Sequence, residues 1–179
     1  CLADKGKRTL LVDLDPQGNA SSGIGIDKES LKKNLYDCLI EQVPMDAVVQ
    51  HTAVKKLFVV PATMDVAGAA VELVNMDRRE YVLKAALEQH LGEMKKPYEY
   101  IVIDCPPSLG LLTINALAAA DSVLIPVQCE FYALEGLAQL MQTVEMVRTN
   151  LNDKLRLLGL LMTMYDGRTN LSIQVTEEV

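Results

Sequence analysis

The four cysteines (Cys1, Cys38, Cys105, Cys129) include no C-x-x-C pair, which argues against disulfides or a zinc site and suits a reducing cytosol. No run approaches the roughly 20 apolar residues that span a bilayer. No secretory signal is visible in these residues, because Lys5, Lys7 and Arg8 follow the first apolar residues instead of preceding an apolar core. Positive charge is not in excess either: 17 basic residues face 24 acidic ones, for a net charge of −7. That balance argues against a surface built throughout for nucleic acid and leaves room only for a local basic patch. No repeat, low-complexity segment or linker interrupts the 179 residues, half of which are hydrophobic, so residues 1–179 read as a single domain. A complete phosphate-binding loop, G-x-x-x-x-G-K-[ST], is also missing. Gly6-Lys7-Arg8-Thr9 has a helix before it and a strand after it, the reverse of the required order, and Gly23-Ile24-Gly25 lacks the third glycine of a dinucleotide fingerprint.

What is present is a pair of acid-tipped strands. In Ile101-Val102-Ile103-Asp104-Cys105-Pro106-Pro107-Ser108-Leu109-Gly110 an apolar run ends in a carboxylate. Two prolines, which have no N–H for a ladder, then force the chain out of the sheet. Asp104 is thereby expected at the carboxyl end of a buried strand, the edge where open α/β sheets bind ligands. Leu10-Leu11-Val12-Asp13-Leu14-Asp15-Pro16-Gln17-Gly18-Asn19 repeats the form. A lone aspartate before proline is more often a turn cap. The second acid tip shifts the reading of Asp15 and Asp104 toward a magnesium-nucleotide site, in which carboxylates hold the water shell of the metal and align an attacking water. Asp13 either shares a face with Asp15 or is a structural, hydrogen-bonded acid.

Strands are expected at Thr9–Leu14, Leu57–Val60, Tyr100–Asp104, Ser122–Val127 (ended by Pro126) and Leu157–Met164. Helices are expected at Asn34–Glu41, Pro44–Gln50, Val66–Val74, Arg79–Leu91, Leu111–Ala119 and Ala133–Thr149. This alternation implies a doubly wound α/β fold with a mostly parallel sheet and helices on both faces. Asp15, Asp104, Gln128 and Asp166 all follow strands and are expected near one edge. His51 and His90 fall near no motif and read as surface residues. Cys105 and Cys129 read as buried small hydrophobes, and Met141, Met146, Met162 and Met164 as core filling. Cys1-Leu2-Ala3-Asp4-Lys5-Gly6 reads as the last turn of a helix closed by Gly6, and Ser172–Val179 as part of an amphipathic helix. Both ends are expected to continue in a longer protein.

Five collinear blocks together resemble the ParA family, and most closely its chromosomal Soj branch. They are Asp13 to Gly23, Pro61-Ala62-Thr63, Ile103 to Leu117, Pro126 to Gly136, and Thr163 to Thr169. The resemblance implies a deviant-Walker P-loop NTPase of SIMIBI type, incomplete here at both ends, that dimerises around ATP and magnesium. It further implies a cytoplasmic, nucleoid-associated ATPase that binds DNA nonspecifically as the ATP homodimer. A ParB-type partner stimulates hydrolysis and release, which segregates chromosomes or plasmids. By the same resemblance Asp15 is the catalytic, water-positioning aspartate, with magnesium through water as a further role. Asp104 acts on magnesium through water, Pro106 to Gly110 form the switch that responds to the γ-phosphate, and Gln17 and Gly18 belong to the nucleotide-binding loop. The family's K-G-G-x-G-K-T-T loop would lie upstream of Cys1, so these residues alone are expected neither to bind ATP appreciably nor to hydrolyse it. Three alternatives stay open. A MinD-like division-site ATPase would need a C-terminal membrane helix, and the Pro16-Gln17-Gly18-Asn19 loop favours the ParA side. A Rossmann oxidoreductase would leave Asp104-Cys105-Pro106-Pro107 without a role. A noncatalytic regulator is disfavoured by intact Asp15 and Asp104.

Overall fold

A computed structural model describes residues 1–130 and 133–168. The Ser172–Val179 helix lies outside them. The chain divides into two compact units, Cys1–Ala119 and Ala120–Val179.

The first unit holds strands β1 (Thr9–Asp13), β2 (Gln50–His51), β3 (Leu57–Val60) and β4 (Tyr100–Asp104) in the order β2-β3-β1-β4. Strands β3 and β4 flank β1 in parallel, while β2 runs antiparallel to β3. β1 is central and buried on both faces: Leu10 and Val12 are fully buried on one, each worth about 1.5–3 kcal/mol, and Thr9 and Asp13 are buried on the other. Helices α1 (Asn19–Gly23), α2 (Leu35–Leu39), α3 (Val66–Glu72), α4 (Val82–Glu93) and α5 (Leu111–Ala119) accompany this sheet. The core joins Leu10, Val12, Leu35, Leu39, Val60, Val66, Leu73 and Leu83. Helix α2 starts in a capping box: Tyr36 N donates to Asn34 Oδ1 and Asn34 N to Asp37 Oδ2, both at 2.8 Å. Before β1, Lys7 N donates to Leu2 O and Gly6 N to Ala3 O, with Gly6 at φ +82°; this Schellman-type closure ends a turn, where the sequence suggested the last turn of a helix.

In the second unit, β5 (Ser122–Gln128) pairs in parallel with β6 (Arg156–Thr163), and α6 (Ala133–Asn150) connects them. Val144, Val147 and Leu155 are buried there with Ile125 and Val127. Among the described residues no helix is long and apolar enough to cross a membrane.

Several expectations change. Pro126 does not end β5 but pairs in register with Leu161, a placement open to proline where the missing donor faces away from the neighbour. Residues 44–50 form a short 3₁₀ turn (Met45–Ala47) and then strand β2, instead of a helix. β4 is an edge strand of its sheet with Tyr100 and Val102 exposed, not a strand buried on both faces. His90 is only 3% exposed. It follows Leu83 and Leu87 at helical spacing on the buried stripe of α4, a signal already present in the sequence. Its Nδ1 lies 2.9 Å from Asp46 Oδ1, off hydrogen-bond alignment, and its Nε2 lies 3.4 Å from the Tyr98 hydroxyl. Cys105 is exposed, whereas Cys129 is buried as expected. Met146 and Met164 are exposed and fill no core.

Candidate functional site

Strands β1 and β4 lie in register with Asp13 opposite Asp104, so their two acidic tips end together. The junction is tied by Leu14 N, which donates to Asp104 O at 2.8 Å. Beyond it the chain turns sharply. Gly18 N donates to Asp15 O at 2.8 Å, and Gln17 N donates to Asp15 Oδ1 at 3.0 Å. The sequence produces this turn directly: Pro16 fixes one backbone angle, and the Asp15 carboxylate captures the amide two residues on. Asp15 Oδ2 takes no part in the turn.

The turn needs Gly18. Its φ is +63°, and a β-carbon there would stand 2.6 Å from Ala62 O. Gly18 is buried and Gln17 exposed, with Gln17 Nε2 3.9 Å from Met64 Sδ. Gly18 thus has a backbone reason to be glycine before any ligand is considered.

Asp13 is the structural acid. It is fully buried and accepts from Ser21 Oγ at 2.6 Å, Ser21 N at 2.8 Å and Asp15 N at 3.3 Å. Ser21 Oγ in turn accepts from Ala62 N at 3.2 Å. One buried carboxylate and one hydroxyl therefore tie the end of β1 to α1 and to the segment after β3. Ser21 lies inside the Asp13 to Gly23 block, where its signal in the sequence is a small polar residue one loop after the buried acid.

Asp104 is the electrostatically loaded group. Burial, followed by the charges of Asp13 and Asp15, raises its carboxyl above the ordinary aspartate range. Three like charges at one sheet edge favour a cation. Among the described residues no His, Cys, Asp or Glu side chains converge as a ready-made direct-ligand cluster. After β4, Pro106 is buried between exposed Cys105 and Pro107. Thr113 Oγ1, in the first turns of α5, donates to Ser108 O at 2.6 Å and ties that loop to the helix.

Asp15 and Asp104 are thus brought together in the first unit. Gln128 and Asp166 belong to the second. There Gln128 ends β5 in register with Thr163, and Asp166, following β6, is gripped by Arg168 through Nη2–Oδ2 at 2.7 Å. That guanidinium lowers the Asp166 carboxyl below its ordinary range.

Residues 1–157 match a family model described as an AAA domain. Over 179 residues the chain is 57% identical to the sporulation initiation inhibitor protein Soj of Bacillus subtilis, covering 100% of this chain and 69% of Soj. The chain belongs to the ParA family. The chromosome partitioning protein ParA of Myxococcus xanthus is 54% identical over 178 residues, covering 99% of this chain and 62% of that protein. This ParA-family chain spans about two thirds of the length of these relatives. Among solved structures, cobyrinic acid a,c-diamide synthase of Mycobacterium smegmatis with a bound ATP analog and magnesium aligns with a TM-score of 0.91 at 40% identity. That alignment covers 99% of this chain and 71% of the synthase chain. The mostly parallel sheet of this ParA-family chain is accordingly the architecture of the SIMIBI-type P-loop NTPases.

Proposed function

We propose that this chain carries the switch loops of a partition ATPase that segregates chromosomes or plasmids. The observation that carries the reading is the register of Asp13 against Asp104, which sets the Asp15 turn and the Pro106 to Gly110 loop at one sheet edge. The protein works as an ATP-dependent homodimer that binds DNA nonspecifically. A ParB-type partner stimulates hydrolysis and so releases the DNA. Its place is the cytoplasm, on the nucleoid. Residues 1–179 belong to a single nucleotide-binding domain, a reading supported by a family match that runs across the boundary of the two units.

In this reading bound magnesium-ATP supplies the phosphoryl group to be transferred. Asp15, with Oδ1 held by Gln17 N, uses Oδ2 to orient the attacking water. Asp104 would hold magnesium through a water of its shell, and a cation there would offset the burial and the Asp13 and Asp15 charges that raise its carboxyl. Asp15 also reaches that shell through water. Gln17 and Gly18 border the nucleotide, and Pro106 leads the loop that senses its γ-phosphate.

The test is co-sedimentation of the full-length protein with mixed-sequence DNA. Binding that requires ATP and is reversed by the ParB-type partner supports the proposal. Binding indifferent to nucleotide, or recruitment to lipid vesicles in place of DNA, contradicts it.

A further inference from the structure

The Asp15 turn is held from outside by one lysine. Lys28 sits in a 3₁₀ turn (Lys28–Ser30), and its Nζ donates 2.8 Å to the carbonyl of Gln17, eleven residues back. Its stem closes over Gly18: a β-carbon built there would lie 3.1 Å from both Cδ and Nζ of Lys28. The base of this side chain is itself fixed. Asp27 Oδ1 accepts from Glu29 N at 3.2 Å, Ser30 Oγ donates to Asp27 O at 2.9 Å, and Ile26 N donates to Ser21 O at 3.1 Å. The last of these ties the segment back to the serine that holds Asp13.

We propose that Lys28 is a positioning residue for Asp15, clamping the Asp15–Gly18 turn so that Oδ2 of Asp15 is presented in one orientation. Three features of the side chain suit the task. It donates to the carbonyl of the residue whose amide binds Asp15 Oδ1. Its methylenes cover the only residue of the turn that has no side chain to pack. The turn that bears the side chain is already pinned by the Asp27 and Ser30 hydrogen bonds, so little further freedom is lost in placing it. Without the clamp the Gly18 N–H to Asp15 O bond of the turn opens more often, and the turn gains freedom to pivot about Pro16 and Gly18. Misplacing a water-orienting group by about 1 Å costs as much as ~100-fold in rate.

The inference rests on the reading of Asp15 given above, and two measurements on the full-length protein separate the two. The first is independent of turnover: amide hydrogen exchange of Gly18, whose N–H donates to Asp15 O, in the nucleotide-free protein. Lys28→Met should speed this exchange roughly tenfold, the effect of losing one hydrogen bond from a charged donor, and Lys28→Arg should restore most of the protection. The second is steady-state hydrolysis. Lys28→Met should lower kcat roughly tenfold while the ATP dissociation constant stays within about twofold, again with recovery in Lys28→Arg. Unchanged Gly18 exchange in Lys28→Met overturns the clamp. So does a kcat equal to wild type, or a loss of kcat and ATP affinity together that Lys28→Arg fails to rescue. A wild-type protein that does not hydrolyse ATP, with the exchange result as expected, leaves the clamp standing and removes the ATPase reading instead.

Discussion

Ser21→Ala removes a single oxygen, and its cost follows from two partners. Ser21 Oγ donates at 2.6 Å to the buried Asp13 carboxylate and accepts at 3.2 Å from Ala62 N. Hydrogen bonds to charged groups contribute about 1.5–3 kcal/mol, and a buried N–H left without a partner costs about 1–3 kcal/mol more. The carboxylate is not stripped, because Ser21 N at 2.8 Å and Asp15 N at 3.3 Å still reach it. The lower end of each range therefore applies, for a loss of about 2.5 kcal/mol. Urea unfolding of the nucleotide-free, full-length protein should show the midpoint falling with the slope m unchanged. Asp13→Asn should also destabilise, and the double variant should lose much less than both single effects combined, since the two residues share one hydrogen bond. A Ser21→Ala loss below about 0.5 kcal/mol, or full additivity with Asp13→Asn, would refute the reasoning.

Gly18→Ala should lower stability by at least about 1–2 kcal/mol, the cost of a left-handed alanine, before the clash with Ala62 O adds to it; an unchanged thermal midpoint contradicts this. Asp104 binds its proton more tightly in the folded than in the unfolded chain. The folded state therefore holds more protons just above the ordinary aspartate range, and stability from this group is lost as pH rises through its raised value. In metal-free protein Asp104→Asn should flatten that slope and raise the midpoint at neutral pH, and a steeper slope would reverse the assignment. Asp104→Ala should weaken nucleotide binding in magnesium and leave binding in EDTA little altered, as read by titration calorimetry; equal binding in both media for wild type and variant counts against a metal-linked role.

Much of this was legible in the residues themselves. Leu57–Val60, Tyr100–Asp104 and Leu111–Ala119 could be bounded to the residue, because apolar runs met proline, glycine or acid at their ends. Asp15 and Asp104 were legible as partners because two strands share one unusual pattern, and parallel pairing then brings their tips together. The pattern pointed to a magnesium-nucleotide site, and the resemblance divided the roles, giving Asp15 the attacking water and Asp104 the metal. What could not be read depended on tertiary contacts. β2 is two residues long and exists only through its pairing with β3. β4 has the composition of a buried strand, and its edge position is a fact of topology. Lys28 looks like any surface lysine until the fold carries it back to Gln17. His90 was the avoidable miss: its spacing from Leu83 and Leu87 marked it as buried, whereas its distance from any motif suggested a surface residue.

The central claim is that Asp15 orients the attacking water at a magnesium-nucleotide edge. Its most direct test is phosphate release from magnesium-ATP by the full-length protein and by Asp15→Ala, with ATP binding and dimerisation measured on the same samples. The account predicts that Asp15→Ala binds ATP and dimerises like wild type while its turnover falls by at least about 100-fold, the scale of losing a positioned acid–base group. Turnover by Asp15→Ala at the wild-type rate would contradict it.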